Sequence, residues 1–297
     1  MYELIAAGAR TYYIDAPSKV GIYVDEDNCA TLIDSGHDQA DAKRVLTVLN
    51  ENGWQLGAII LTHCHSDHAS GSSFLHQHSG CAVYAEATEC AIINNPGLLP
   101  SLVYGGYPHR QLRGRFLQAP PSPAQPVDLA VLPEGMSTVD LRGHSPGMIG
   151  VRTPDDVLFL GDALSDAANY AKYPLPFLYD LGEHLATIAR LRQEKAAWFV
   201  PSHSVARADI TGLLDMNQSA IEANIVYILD CCQQPTSFET LLDNLCVHFQ
   251  IHQNAMQYAL LSSTLRSYLS YLADNLLLNY SFKNGMQWSA RLETQQS

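Results

Sequence analysis

The first part of the chain alternates short apolar runs with turn residues, which predicts strands of a meandering sheet. The runs "YELIAAG", "RTYYIDA", "KVGIYVDE" and "CATLIDSG" are rich in β-branched and aromatic residues and are separated by Gly, Pro, Asp and Asn. A helix follows over residues 37–53, because its apolar residues repeat at helical spacing and Gly53 stands where a left-handed cap belongs. The run "GAIILT", residues 57–62, then predicts a buried strand.

That strand ends at a cluster of titratable residues, "LTHCHSDHASG", residues 61–71. In an extended segment His63 and His65 project from the same side, about 7 Å apart along the chain. Asp67 and His68 stand where the chain turns into the next helix. Four donors can therefore converge from one short loop at the end of a strand.

Three more strand ends carry residues of the same chemistry. His144 follows an alternating strand in a Gly/Pro turn, and Asp162 and His203 each follow an apolar strand. Such donors are sufficient for two metal ions with room for a bridging water. Imidazole and carboxylate suit Zn²⁺, our first expectation, but also Fe²⁺ and Mn²⁺. The candidate ligands are His63, His65, Asp67, His68, His144, Asp162 and His203.

After Pro235 the pattern changes to helices and a hairpin. Residues 236–249 predict one helix, residues 253–275 predict two, and residues 276–292 predict a hairpin around the Asn-Gly pair at 284 and 285. Three helices and a hairpin suggest a winged helix, which predicts DNA binding. However, a domain that binds in a DNA groove needs a basic surface. From residue 235 onward the only basic residues are Arg266, Lys283 and Arg291. We therefore expect a packing, lid or dimer-forming role.

Composition narrows the class of partner. The 297 residues carry a net charge of −13, which repels phosphate backbones and anionic membranes. We expect a small-molecule substrate and no membrane partner, with a homodimer as an open alternative. The N-terminus lacks the pattern of a signal peptide, and the seven cysteines form no CxxC pair. These features predict a cytoplasmic protein with reduced thiols, and Cys64 is expected to be a buried, inert thiol.

In this order, HxHxDH, GHSPG, GD and a final His after a strand resemble the metallo-β-lactamase superfamily, in its branch of hydroxyacylglutathione hydrolases, lactonases and phosphodiesterases. The resemblance covers roughly residues 1–210 and implies a four-layer αββα sandwich. The predicted fold class is therefore α+β, with that sandwich followed by a small, mostly helical winged-helix-like domain. The predicted boundaries are 1–210 for the metal-binding hydrolase domain, 211–234 for a connecting helix, and 235–297 for the C-terminal domain.

The resemblance also implies a role for each ligand. One metal ion would be held by His63, His65 and His144, the other by Asp67, His68 and His203, and Asp162 would bridge the two. Asp67 would in addition orient the attacking hydroxide. Asp34, in "LIDSG", matches an early strand-end aspartate of the family that supports the ligand loop without coordinating the metal.

The expected function is a metal-dependent hydrolase that uses a dinuclear-metal-bound hydroxide to cleave a small-molecule ester, thioester or lactone. Class-B penicillinases generally have Cys or Ser where Asp162 stands, and well-known lactonases have Tyr where Ser165 stands, which disfavours those two activities. The 17 Lys and Arg are few for a glutathione site. A phosphodiesterase or ribonuclease of the same fold is the first alternative, and a non-enzymatic sensor or DNA-binding regulator is the second.

Two irregular segments, residues 103–128 and 166–180, are candidate substrate walls because long Gly/Pro-rich loops beside a site often bind substrate. Aromatic residues flanked by proline also pack locally, and arginines on a loop are commonly just solvated, so both readings stay open. The candidate substrate-binding residues are Tyr107, Arg110, Tyr170 and Tyr173.

Overall fold

The computed structural model describes residues 3–291, so residues 1–2 and 292–297 of the predicted first and last domains lie outside the described part. Two β-sheets form its centre. The first sheet contains β1 Leu4–Ala6, β2 Thr11–Ile14, β3 Val20–Val24, β4 Cys29–Ile33, β5 Gln55–Ile60, β6 Ala82–Ala85 and β7 Ala124–Pro126. The second contains β8 Ser137–Asp140, β9 Ile149–Arg152, β10 Val157–Gly161 and β11 Trp198–Pro201.

Pairing in both sheets changes from antiparallel to parallel near the predicted ligand loops. In the first sheet the order is β1 to β7, with antiparallel pairs as far as β4 and parallel pairs from β4 onward. The second sheet has the order β11-β10-β9-β8, and β10 pairs in parallel with β11. Parallel neighbours end at the same edge, so the loops that follow β10 and β11 lie side by side.

Helices cover the outer faces of both sheets. The first sheet is covered by α1 Gln39–Glu51, α3 Ser72–Ser79, α4 Ala87–Asn94 and α5 Leu98–Tyr104. The second is covered by α7 Leu181–Leu191 and α8 Thr211–Cys231. Two short helices, α2 Ser66–Ala69 and α6 Ala167–Lys172, lie in the segments that follow β5 and β10.

Alternating strand residues separate three hydrophobic layers, which confirms the four-layer αββα sandwich. On β10, Val157 and Phe159 pack between the two sheets, whereas Leu158 and Leu160 pack under the helices of the second sheet. On the first sheet Ile60 faces the layer between the sheets and Ile59 faces the helices. Because both faces of these strands are covered, their sequences are continuously apolar, as parallel central strands usually are.

Helix α1, Gln39–Glu51, begins and ends within two residues of the predicted segment 37–53. The Asp38 side chain accepts hydrogen bonds from the backbone N of Ala40 and Asp41, and Gly53 follows the helix in a left-handed conformation with φ +71°. Ala42 and Leu49 are buried against the sheet. Capping and amphipathic spacing agree here, so this boundary was predictable.

The C-terminal part continues with β12 Thr236–Ser237, α9 Phe238–His248, α10 Ala255–Asp274, β13 Leu278–Ser281 and β14 Gln287–Ala290. The three strands form a small sheet of order β12-β14-β13. The prediction of two helices over residues 253–275 is wrong, because the segment forms the single helix α10. No Gly or Pro interrupts it. The hairpin is confirmed: Asn284 and Gly285 both have positive φ in the turn between β13 and β14.

Helices α8, α9 and α10 contribute to the same hydrophobic cluster as β10, β11 and α7. Tyr268, Leu265 and Leu269 on α10 are almost completely buried in it. No helix in residues 3–291, including the long helices α8 and α10, is apolar enough over a sufficient length to cross a membrane. The three predicted ranges stay predictions, but the C-terminal elements share a core with the sandwich.

Candidate metal centre

Four strand-terminal loops bring all seven predicted ligands together in one group, which we call the donor cluster. Their nitrogen and oxygen atoms fall into two sets, and within each set the atoms lie within 4.8 Å of one another. The three-histidine set contains His63, His65 and His144, and the mixed set contains Asp67, His68, Asp162 and His203. The resemblance implies the same two sets with Asp162 shared between them, and metal binding by these residues stays a prediction.

Asp162 lies between the two sets. Its Oδ2 is 3.5 Å from Nε2 of His144 and 4.0 Å from Nε2 of His63. Its Oδ1 is 3.2 Å from Nε2 of His68 and 3.3 Å from Nε2 of His203. Each carboxylate oxygen therefore faces one set, which is the arrangement that a bridging ligand needs.

Local backbone structure explains why the first loop can place four donors. His65 has extended dihedrals and directly precedes α2, so the chain turns from strand to helix between His65 and Ser66. Asp67 and His68 then lie in the first turn of α2. Cys64 is buried in the core beneath the first sheet's helices, and burial, followed by the Glu89 carboxylate, raises the pKa of its thiol well above the usual value. An unreactive thiol is the expected consequence.

Asp34 holds the ligand loop from behind. It is almost completely buried and has a positive φ of 64°, a conformation that Asp tolerates better than most residues. Its Oδ2 accepts a hydrogen bond of 2.7 Å from Nδ1 of His68, and its Oδ1 accepts one from the backbone N of Thr62. The Thr62 hydroxyl lies 3.0 Å from Asp34 and 3.0 Å from Nδ1 of His63. One carboxylate thus orients a histidine of each set.

Backbone carbonyls orient two more histidines. Nδ1 of His144 lies 3.1 Å from the carbonyl oxygen of Phe177, and Nδ1 of His203 lies 2.6 Å from that of Pro17. A carbonyl can only accept, so Nδ1 carries a proton in both rings. Nε2 is then the nitrogen that faces Asp162 in each ring, and it is the atom that would bind a metal ion after losing any proton of its own.

The two sets differ in their electrostatics. Burial and then the neighbouring His68 hold the pKa of His63 well below its usual value, and burial and then His65 lower the pKa of His144 to about 3. In the mixed set, Asp162 raises the pKa of His203 to about 10. Burial opposes protonation of His68 too, but the carboxylates of Asp162, Asp67 and Asp34 outweigh it and raise its pKa.

Two buried atoms of the donor cluster have no hydrogen-bond partner among the described residues. They are Nε2 of His63 and Oδ1 of Asp162. An unpaired polar atom in a protein interior costs roughly 1–3 kcal/mol, so such atoms call for an explanation. Both belong to the donor cluster and point toward its other members. Nitrogen and carboxylate donors grouped in two sets fit two divalent metal ions that share one carboxylate.

Glu89 is a site residue that the sequence analysis missed. It lies in the first turn of α4 with no exposed surface, and both its oxygens accept hydrogen bonds from the loops that carry the ligands. A signal was present in the sequence, because helical spacing places Glu89 on the same face as the buried Ile92 and Ile93. An acidic residue in a buried apolar stripe is rare without a structural or functional partner.

The four predicted substrate-binding residues make their contacts mainly with their own loops and with α8. Tyr107 is 79% exposed and accepts a hydrogen bond from Arg113, and Arg110 begins a short 3₁₀ turn. Tyr170 donates to the side chain of Asn217 on α8, and Tyr173 packs under Lys172. Their substrate role stays a prediction.

Phe177 contacts the donor cluster, and the backbone of Phe116 contacts the loop that carries four of the donors. The ring of Phe177 packs against His65 and His144, with ring centroids 5.5 Å and 5.9 Å apart. The carbonyl oxygen of Phe116 accepts a 2.6 Å hydrogen bond from Ser66, which stands between two of the donors, and the Phe116 side chain is 59% exposed. Both residues lie in the two segments that the sequence analysis selected as candidate substrate walls, although neither is among the four residues that it chose.

Comparison with known proteins adds three findings. The profile of the Metallo-beta-lactamase superfamily matches residues 17–203. A hydroxyacylglutathione hydrolase of Methylobacillus flagellatus is 31% identical over 147 residues, which are 48% of this chain and 49% of that protein. A hydroxyacylglutathione hydrolase of Rhizobium meliloti is 25% identical over 186 residues, covering 62% of this chain and 63% of that protein. The chain thus spans about half to under two thirds of these relatives.

Among solved structures, a metallo-beta-lactamase family protein from Thermus thermophilus superposes with a TM-score of 0.72. The match covers 96% of this chain and 100% of that chain at 18% sequence identity. At that identity the likeness establishes the fold and nothing finer. Because it extends over nearly the whole chain, it includes the C-terminal elements as well as the sandwich.

Proposed function

The chain belongs to the metallo-β-lactamase superfamily, and from this premise we propose that it is a hydrolase that uses two divalent metal ions to cleave a small-molecule ester, thioester or lactone. Zinc is the proposed metal, since imidazole and carboxylate donors suit it, although they also suit Fe²⁺ and Mn²⁺. The donors would be those of the three-histidine set and the mixed set, with Asp162 shared.

One observation carries the proposal: two donor sets lie on opposite oxygens of a single buried carboxylate. Metal ions bound there would lower the pKa of a water molecule and polarise the carbonyl group of a substrate. A nucleophilic Ser or Cys is then unnecessary, which agrees with the buried and unreactive state of Cys64.

Asp67 is the proposed catalytic residue among the donors. Its side chain is 33% exposed, more than the 14% of Asp162, so it lies nearer the opening. Its Oδ2 is 3.1 Å from Nε2 of His203 and 3.4 Å from Nε2 of His68. Burial would raise the pKa of Asp67, but these imidazoles outweigh burial and hold it well below the ordinary value. Asp67 is therefore a weak base whose main role is to orient a water molecule by accepting its hydrogen bond.

Thioesters are the first substrate class to test. The relatives named above are hydroxyacylglutathione hydrolases, and an acylglutathione is a thioester. The Phe177 ring beside His65 and His144 supports an apolar wall for the acyl group. Such a wall would exclude water from one side of the reacting bond.

We also propose that the C-terminal elements are a winged-helix-like unit with a packing or interface role. The order α8-β12-α9-α10-β13-β14, with β14 central in the small sheet, supports this description. A small-molecule substrate rather than nucleic acid is supported by charge. Among the few basic residues of this segment, Arg266 packs over the Phe238 ring and Arg291 donates to Asn279.

A substrate panel tests the proposal. Purified protein is assayed with an aryl thioester, a lactone and an activated phosphodiester, before and after chelation and after return of Zn²⁺. We expect turnover of the thioester or lactone that chelation abolishes and zinc restores. Turnover of the phosphodiester alone would replace the proposal by the phosphodiesterase alternative, and the absence of any bound transition metal would contradict both.

A further inference from the structure

Glu89 connects the two loops that supply the three-histidine set. Its Oε2 accepts a 2.8 Å hydrogen bond from the backbone N of Cys64, which stands between His63 and His65. Its Oε1 accepts two hydrogen bonds of 2.7 Å, from the hydroxyl of Ser145 and the backbone N of Gly147, in the loop of His144. One side chain thus fixes the distance between all three histidines of one set.

The carboxylate is buried without a cation. No Lys or Arg in residues 3–291 forms an ion pair with Glu89, whose side chain has no exposed surface. Removing a carboxylate from water costs several kcal/mol, which hydrogen bonds repay only in part. All three groups that bond to its oxygens are hydrogen-bond donors, and an ionised carboxylate can accept from all of them. A buried negative charge of this kind requires positive charge nearby.

The charges of the two donor sets show where that positive charge belongs. The mixed set contains Asp67 and is backed by Asp34, which accepts from His68. The three-histidine set contributes only neutral imidazoles, apart from the shared Asp162. Glu89 lies beside this set, since it accepts hydrogen bonds from Cys64, which is next to His63 and His65, and from Ser145, which is next to His144.

We infer that Glu89 is the positioning residue and the counter-charge of the ion site formed by His63, His65 and His144. This inference rests on the proposed metal-dependent function. Glu89 does not bind the metal ion or the substrate in this proposal. It holds the two ligand loops in position and places a negative charge behind the neutral imidazole ligands. Its hydrogen bonds are adjacent to His63, His65 and His144, so its largest effect should fall on their ion site, whereas loss of Asp162 should affect both sites equally.

Glu89→Gln is the informative substitution because it preserves shape and changes only charge and hydrogen bonding. An amide has one accepting oxygen and one donating NH₂ group. If the amide oxygen accepts from Ser145 and Gly147, the NH₂ group faces the N–H of Cys64, and two donors meet. In the reverse orientation the NH₂ group faces the donors of Ser145 and Gly147. One ligand loop must therefore shift.

The test isolates each ion site first. His203→Ala leaves the three-histidine set intact, and His144→Ala leaves the mixed set intact. Glu89→Gln is added to both backgrounds, and Zn²⁺ is titrated into the metal-free proteins in competition with a chromophoric chelator. We expect Glu89→Gln to weaken binding about 10- to 100-fold in the His203→Ala background, and by less than about threefold in the His144→Ala background.

Cobalt supplies a second readout. With Co²⁺ in the His203→Ala background, the visible absorption bands should change in position or intensity when Glu89→Gln is added, because the geometry of the three imidazoles changes. In the His144→Ala background the bands should stay the same. A merely structural loss of stability would lower the melting temperature in both backgrounds without this selectivity.

Two further variants complete the design. Glu222→Gln is the control for the change of charge, since Glu222 accepts from Gln218 on α8, away from the ligand loops; it should leave both zinc affinities unchanged. Ser145→Ala removes one of the three donors and should weaken only the three-histidine site, by about threefold. This milder variant gives the answer if Glu89→Gln does not fold.

Equal weakening in both backgrounds, or no weakening in the His203→Ala background, would overturn the inference. That result is distinct from failure of the proposed function, which would show as a wild-type protein that binds no zinc at all.

Discussion

The donor cluster and the C-terminal segment after Thr236 both depend on buried residues, but they bury them for different reasons. In the donor cluster the buried groups are polar, and several are oriented by a definite partner, such as Asp34 for His68 or a carbonyl for His203. In the C-terminal segment the buried groups are mostly apolar, and Leu265 and Leu269 of α10 simply fill the core beside the second sheet.

The difference teaches which kind of change each region tolerates. A hydrophobic core accepts side chains of similar volume, since its energy depends on area and packing. A set of converging donors accepts almost no substitution, since its energy depends on the identity and direction of single atoms. Changes in the donor cluster should therefore affect metal and turnover, and changes in α10 should affect stability.

The largest expected effect is that of Asp162→Ala. Because each oxygen of Asp162 faces one donor set, both ion sites should weaken together, and turnover should fall about 100-fold or more. Elemental analysis and steady-state kinetics measure these two quantities. Asp166→Ala is the control: it removes the N-cap of α6, which costs about 1 kcal/mol of local stability, and leaves both metal ions bound. Wild-type metal content in Asp162→Ala would show that the bridge is wrong.

The next effect concerns stability alone. Leu265→Ala removes a side chain with no exposed surface from the core of α10 and should lower the free energy of unfolding by about 2–5 kcal/mol. The folded protein should keep its metal content and turnover. Phe282→Ala, at a side chain that is 77% exposed, should change stability by less than about 0.5 kcal/mol. Denaturant unfolding of the metal-loaded proteins checks both, and loss of metal from folded Leu265→Ala would break the contrast between the regions.

A smaller effect on metal binding is expected from Asp34→Asn. Asn tolerates the positive φ at this position, so the substitution tests the charge and the hydrogen bond to His68 rather than the backbone. Zinc affinity should fall about 10- to 100-fold. Asp156→Asn, at another position with positive φ but paired with Arg152 outside the cluster, should leave zinc affinity unchanged. Similar zinc affinities for the two variants would show that Asp34 has no supporting role.

The smallest effect, about 2 kcal/mol at pH 5, is expected from His184 on α7, between the two regions. Burial lowers its pKa to about 4, below the 6.5 of the unfolded chain. Between pH 4 and 6.5 the unfolded chain binds the extra proton, so stability is full above this window and falls as pH decreases through it. His184→Leu should remove this part of the pH dependence. Parallel curves of unfolding free energy against pH for the two proteins would disprove it.

Sequence reasoning succeeded where local chemistry and strand ends coincide. The two-residue step between His63 and His65 after an apolar strand sufficed to place them together, and capping residues sufficed to place α1. Assignment of the ligands to two sets came from the family resemblance. Geometry that depends on long-range packing could not be predicted: Glu89 reaches its loops from another helix, and Phe177 rather than Tyr173 packs on the histidines.

The hydrogen bond between His203 and Pro17 joins the last donor in the sequence to a segment near the chain's beginning. During synthesis the N-terminal part of a chain emerges and begins to fold first. The three-histidine set is complete once His144 has been made, whereas the mixed set waits for His203 and for the docking of its strand beside residue 17. Assembly of the mixed set therefore depends on contact between residues 186 positions apart, whereas the three histidines of the other set span only residues 63 to 144.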